Sequence, residues 1–222
     1  MIQNQFELVV FDLDGTLVKS DETIFQTMRR ALDQVGVNDD MNREAFTNAI
    51  GHHFKDMFKA MNLEVERYDE FVEHYKAHYF DFIDYSKLYP GVEEMLFKLQ
   101  EMQIKIALLT TKLQEQADQI IDHFGLRNYF DEVTGRRPGV PHKPDPEPLL
   151  NICNLLNIDP VKTLMIGDTE LDIRCAKNAN TASCAVSFGY RSIDNLNDEK
   201  PDFIINKLSE LIPIVKQSVE IE

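Results

Sequence analysis

Short apolar runs that end in polar residues recur along the chain, and a stretch of helical periodicity follows most of them. Residues 6–11 (FELVVF) form the first run, which ends at Asp12. Residues 104–109 (IKIALL) form the second, ending at Thr110 and Thr111. Residues 163–166 (TLMI) form the third, ending at Gly167 and Asp168. Residues 182–186 (ASCAV) and 203–205 predict two further strands, and Val133-Thr134 a very short one. Helices are expected over roughly 92–102, 112–124, 146–157 and 169–178. Strands that alternate with helices predict parallel βαβ units. The expected fold class is therefore α/β, a Rossmann-like parallel sheet flanked by helices. Ligands of such sheets bind at the carboxyl ends of strands, so the polar residues that end the runs mark where a site belongs.

One segment breaks the alternation. Between Lys19 and Lys87 no strand pattern occurs. Ile24, Met28, Leu32 and Val35 recur at helical spacing, and Phe71, Tyr75, His78 and Phe82 do so again. This predicts an all-helical cap domain, residues 19–87, inserted over the carboxyl edge of a core made of residues 1–18 and 88–222. Tyr89-Pro90-Gly91 is the turn signal at the return.

Composition narrows the partners. The 222 residues suffice for one core with a sizeable insertion, and 43% hydrophobic with 27% charged residues is ordinary globular usage. Lys and Arg number 23 against 38 Asp and Glu, a net charge of −15. That balance argues against nucleic acid and against anionic membrane surfaces. A small anionic substrate stays compatible, because a local cation reverses the field within one cleft. No apolar run approaches the ~20 residues of a membrane span. The opening MIQNQFE lacks the basic end and apolar stretch of a signal peptide. Cys153, Cys175 and Cys184 are odd in number and lack metal spacing, which predicts reduced thiols in a cytoplasmic protein.

Four stretches carry candidate chemistry. In Asp12-Leu13-Asp14-Gly15-Thr16, carboxylates two residues apart can converge on one cation or one reacting centre; solvated acids at a strand end are the plain alternative. A calcium loop does not fit, because the glycine comes too early and no closing Glu follows. Asp168 ends a strand and Asp172 lies one helical turn beyond, either at a site or as helix-terminal carboxylates. Lys143, in His142-Lys143-Pro144-Asp145-Pro146, is held by prolines and can neutralise a phosphate or the carboxylates, unless it is a surface lysine. Thr110 can hydrogen-bond a phosphoryl oxygen or cap a helix. His74 and His78 have the spacing of a helical metal pair, yet lack a glutamate partner and a third ligand. No Gly-x-x-x-x-Gly-Lys-Ser/Thr loop occurs, which excludes a P-loop kinase.

Taken in order, these stretches resemble the haloacid dehalogenase superfamily in its phosphatase branch with a helical cap, over essentially the whole chain. FDLDGT resembles the first motif, LLTTK the second, HKPDP the third and MIGDTELD the fourth; Phe188-Gly189-Tyr190 also fits the pattern. The resemblance is nearest to phosphoglycolate phosphatase-like and pyrophosphatase-like members. It implies that Asp12 is a nucleophile forming a phospho-aspartate and that Asp14 is the general acid and base. It implies that Mg2+ is held by Asp12, the backbone carbonyl of Asp14, and Asp168. Lys143, Thr110 and Thr111 would hold the phosphoryl group, and Asp172 would orient Lys143 or a water on the ion. His52 and Lys55, in a cap loop beginning Ile50-Gly51, would face the leaving group.

Two positions qualify the resemblance. Lys19 stands where many relatives carry an acid, at the hinge into the cap. Ile24 stands twelve residues after Asp12, where mutases of the family carry a histidine. The expected activity is Mg2+-dependent hydrolysis of a small phosphorylated metabolite, phosphoglycolate-like, by a monomer or weak homodimer. Pyrophosphatase or nucleotidase activity is the alternative, ahead of a mutase or a non-catalytic binding protein.

Overall fold

Leu8, Val9, Val10 and Phe11 are fully buried in the computed structural model, which describes residues 5–38 and 41–216. Residues 1–4, part of the stretch read for a leader, lie outside the described residues. A strand covered on both faces calls for an unbroken apolar run rather than alternation, and this run forms β1 (Leu8–Phe11). There follow β2 (Val18–Lys19), β3 (Lys87–Leu88), β4 (Lys105–Leu113), β5 (Glu132–Arg136), β6 (Thr163–Gly167), β7 (Ala182–Val186) and β8 (Phe203–Ile205). Six of these pair in parallel in the order β5-β4-β1-β6-β7-β8. β2 and β3 pair separately, where the chain leaves and rejoins the sheet-bearing unit.

The chain divides into two compact units, Val18–Lys87 and Met1–Leu17 with Leu88–Glu222. The first holds α1 (Asp21–Gln34), α2 (Arg43–Ala49), α3 (Phe54–Ala60) and α4 (Tyr68–His78). Ile24, Met28, Leu32 and Val35, the apolar stripe of α1, are all buried. The later stripe departs from expectation at Phe82. The α-helix stops at His78, and Tyr79–Tyr85 winds as a tighter 3-10 segment. The Thr23 hydroxyl donates to the Phe82 carbonyl at 3.0 Å, a partner supplied from outside the segment.

The second unit surrounds the sheet with α5 (Val92–Glu101), α6 (Gln114–His123), α7 (Glu147–Leu156), α8 (Glu170–Asn178), α9 (Ile193–Asp198) and α10 (Leu211–Lys216). Leu149, Ile152 and Cys153 of α7 and Cys175 and Ala176 of α8 pack on Leu8, Val10, Ala107, Leu109 and Met165 of the sheet. Burying one such Leu or Ile contributes about 1.5–3 kcal/mol. All three cysteines are buried thiols, and burial pushes those of Cys175 and Cys184 up to about 12, out of reach of ordinary thiolate chemistry. No described helix is long and apolar enough to cross a membrane.

The chain builds from β1 through β4 to β5 on one side, then crosses to β6, β7 and β8 on the other. The reversal falls at β1, so the carboxyl ends of β4, β1 and β6 flank the position where open parallel sheets bind ligands. β4 departs from expectation: it runs to Leu113, and α6 starts at Gln114 rather than at 112. Leu109 lies opposite Thr134 and Leu113 opposite Arg136, so residues 110–112 bulge against Gly135 alone. A Cβ at Gly135 would lie 2.5 Å from the Gln114 Cα and 3.0 Å from the Lys112 carbonyl oxygen. Only glycine admits that backbone approach.

Candidate active site

Asp12 follows β1, and its N–H donates to the Ile166 carbonyl at 2.8 Å, which ties it to the end of β6. The chain then turns: Leu17 N–H donates to Leu13 O at 2.9 Å, and Gly15 adopts φ +85°, a left-handed conformation that favours glycine. A Cβ on Gly15 would also strike the Asp168 carboxylate. Asp168 itself follows β6. Its Oδ2 accepts from the Tyr190 N–H at 2.7 Å and its Oδ1 from the Thr16 hydroxyl at 3.4 Å. Gly189 lets that loop approach Asp168 closely, and the buried Arg191, whose Nε donates to Glu170 at 2.7 Å, ties the loop to α8.

Lys143, in the loop before α7, is the central cation. Its Nζ lies 2.8 Å from Asp12 Oδ1 and 2.5 Å from Asp172 Oδ1, with its side chain only 2% exposed. The other oxygen of Asp172 accepts from the Thr169 N–H at 3.0 Å and the Thr169 hydroxyl at 2.7 Å, closing a reciprocal cap on α8. Asp172 thus caps a helix with one oxygen and orients Lys143 with the other.

Electrostatics strain this cluster. Burial pushes Asp12 up to about 7, against the lowering pull of Lys143 and with Asp172 adding to the rise. Burial raises Asp168 as well, reinforced by Asp12 and Asp172. Burial alone would lower Lys143, but Asp12 and Asp172 outweigh it and hold it protonated. The three carboxylates of Asp12, Asp168 and Asp172 against the one ammonium of Lys143 leave an excess of two negative charges. Ligand oxygens of Asp12, Asp168 and Asp172 lie within 4.8 Å of one another, and among the described residues this is the one such group of possible ligands. Hard carboxylate oxygens with that excess charge fit a small divalent cation.

Thr110 lies in the β4 bulge and, with Lys143, lines a cavity of about 290 Å³. Its hydroxyl oxygen accepts from the Lys112 N–H at 3.2 Å. The Thr111 carbonyl accepts from Arg136 Nε at 3.3 Å. The sheet-bearing unit therefore gathers Asp12, Asp168, Asp172, Lys143 and Asp14. His52 and Lys55 belong to the other unit, where exposed Lys55 sits over the Tyr68 ring at 4.9 Å. His78, of the helical pair, lies 2.6 Å from Asp81. Sequence reading missed Lys112, whose Nζ lies 3.3 Å from Asp14 Oδ2. It stood inside LLTTK, but strand alternation gives no hint of a bulge. It also missed the Thr16 hydroxyl and the Tyr190 N–H.

Residues 9–186 match the family described as haloacid dehalogenase-like hydrolase. A phosphoglycolate phosphatase of Aquifex aeolicus (strain VF5) is 30% identical over 213 residues, 96% of this chain and 98% of its own. The pyrophosphatase PpaX of Halalkalibacterium halodurans is 32% identical over 214 residues, 95% of this chain and 97% of its own. Among solved structures, a predicted phosphoglycolate phosphatase from Haemophilus somnus 129pt matches with a TM-score of 0.82 at 27% identity, covering 95% of this chain and 98% of that one. A haloacid dehalogenase-like hydrolase from Streptococcus pneumoniae shares the fold, with a TM-score of 0.84 at 23% identity over 94% of this chain and 97% of that one.

Proposed function

The chain belongs to the haloacid dehalogenase-like hydrolase family, and we propose that it is a magnesium-dependent phosphatase working through a phospho-aspartate on Asp12. The observation that carries this reading is the buried Asp12–Lys143–Asp172 array beside Asp168, at the sheet's carboxyl edge. A carboxylate attacking a phosphate dianion meets repulsion, and fixed positive charge is the remedy. Asp12, the Asp14 carbonyl and Asp168 would hold Mg2+, which when bound neutralises charge on nucleophile and phosphoryl oxygens. Lys143 supplies a second, permanent cation, kept in place by Asp172.

An Asp12 oxygen forms the new bond to phosphorus as the leaving oxygen departs in line. Asp14 gives its proton to that leaving oxygen, then takes one from the water that hydrolyses the phospho-aspartate. Thr110, Thr111 and the backbone amides after Asp12 hold the transferring oxygens. We read the Val18–Lys87 unit as a cap that would recognise the leaving group through His52 and Lys55, with Lys19 at its hinge. Relatives named for phosphoglycolate and for pyrophosphate share one feature of substrate chemistry, an anionic leaving group. The reading is therefore a small phosphate ester of that kind, with pyrophosphate as the alternative.

Phosphate release from phosphoglycolate, pyrophosphate, nucleoside monophosphates and sugar phosphates, with and without Mg2+, tests it. Mg2+-dependent release is expected, abolished in Asp12→Asn and in Asp14→Asn. Full activity in either variant would sink the assignment.

A further inference from the structure

We propose that Lys112 is a positioning residue for proton transfer, holding Asp14 and stabilising the charge that develops on it. The proposal rests on the reading of Asp14 as acid and base. Lys112 Nζ lies 3.3 Å from Asp14 Oδ2, with the two side chains 7% and 13% exposed. An ammonium so withdrawn from water needs a carboxylate partner, and this one lies two residues from the nucleophile.

The placement is built rather than incidental. Regular strand pairing stops at Leu109 and resumes at Leu113, and bulges of this kind re-aim side chains beside active sites. The Lys112 N–H is tied to the Thr110 hydroxyl at 3.2 Å. Gly135 makes room for the bulged backbone, and its N–H donates to Gln114 Oε1 at 2.8 Å, fixing the end of the bulge.

The chemistry gives this ammonium a task. As the bond from phosphorus to the leaving oxygen breaks, the Asp14 proton passes to that oxygen and Asp14 becomes a carboxylate. In the second step the carboxylate takes a proton from the attacking water, and the acid is restored. Lys112 gains and loses no proton in either step. It stands where negative charge appears on Asp14, and a fixed cation there favours the departure of a poor leaving group. A good leaving group needs no proton and gains little.

The test compares kcat/KM for an alkyl phosphate ester and for p-nitrophenyl phosphate in wild type, Lys112→Met, Lys112→Gln and Lys112→Arg. Both substrates are assayed on one preparation, so the ratio does not depend on the fraction folded. Removing the charge is expected to cost roughly tenfold or more on the alkyl ester beyond any loss on the aryl ester, a part of the 10²–10⁴ that general acids supply. Lys112→Arg is expected to restore the ratio to within a few-fold. In Asp14→Asn, adding Lys112→Met is expected to slow the single-turnover release of p-nitrophenol no further. Equal losses on both esters, or no loss, overturn the role of Lys112 and leave the phosphatase reading standing. Wild-type release from neither ester overturns both.

Discussion

Asp12 and Asp168 are each poorly accommodated as anions by the protein alone, and that conflict has a measurable consequence. Asp12 is raised from the ordinary 3.8 to about 7 and Asp168 is raised well above its ordinary value, chiefly by burial. Between those limits the folded chain binds more protons than the unfolded chain. The Asp12 contribution to stability is therefore full below about pH 4 and is lost as pH rises through about 7, and the Asp168 contribution falls with rising pH in the same sense. In EDTA, the melting temperature of the wild type should fall from pH 5 to pH 8. Asp168→Asn should melt higher at pH 8 and show a shallower fall, by a few degrees at about 2–4 °C per kcal/mol. Mg2+ should raise the wild-type melting temperature and do little for Asp168→Asn. A steeper fall in Asp168→Asn than in wild type would contradict the assignment. The residues that would react are thus the ones whose ionisation costs stability, a cost the cation offsets.

At the scale of elements, β4 does two jobs: its first half builds the sheet and its last residues build the site. Gly135→Ala should separate them. The new methyl group meets backbone of Gln114 and Lys112, which no rotamer change can move away. Overpacking of this kind costs typically about 1–3 kcal/mol, read as a lower denaturant midpoint. The variant should also lose more activity on the alkyl ester than on p-nitrophenyl phosphate, because Lys112 moves with the bulge; an unchanged ester ratio would show that the bulge does not place Lys112. The same element marks the boundary of what the sequence disclosed. A buried run such as Leu8–Phe11 announces itself, because a strand covered on both faces has no polar residue to hide it. Asp12 and Asp168 were legible as the first polar residues after such runs. Thr110 and Thr111 were legible as the end of the second run, but the bulge that carries residues 110–112 was not, since a bulge depends on what the neighbouring strand permits, here Gly135. The Tyr190 N–H on Asp168 was equally hidden, because a backbone amide leaves no mark in side-chain pattern. The 3-10 turn at Phe82 was missed for a related reason, as its carbonyl partner Thr23 is 59 residues away in sequence.

At the scale of the whole molecule, the two units differ in the character of their cores. The sheet-bearing unit is aliphatic at its centre, with Leu8, Val10, Leu109, Leu149 and Met165 packed together. The Val18–Lys87 unit is aromatic: Phe54 meets Phe71 at 5.1 Å and Tyr75 at 4.6 Å between ring centroids, and Phe58 meets Phe71 at 4.9 Å. Phe71 is fully buried among these rings, so Phe71→Ala removes the residue they share. Such truncations cost about 3–5 kcal/mol. If the two cores are separate cooperative units, that loss stays within Val18–Lys87. Native-state hydrogen exchange should then show faster exchange in α1 and α4 with β1 and β6 unchanged. The proposed chemistry rests entirely on residues of the sheet-bearing unit, while recognition of the leaving group is assigned to the helical one. Hydrolysis of p-nitrophenyl phosphate by Phe71→Ala should accordingly stay within a few-fold of wild type, and its preference among small phosphate esters should flatten. Accelerated exchange spread evenly over α1, α4, β1 and β6 would instead mean one cooperative core, and a loss of aryl-ester hydrolysis equal to the loss on other substrates would take leaving-group recognition away from the helices.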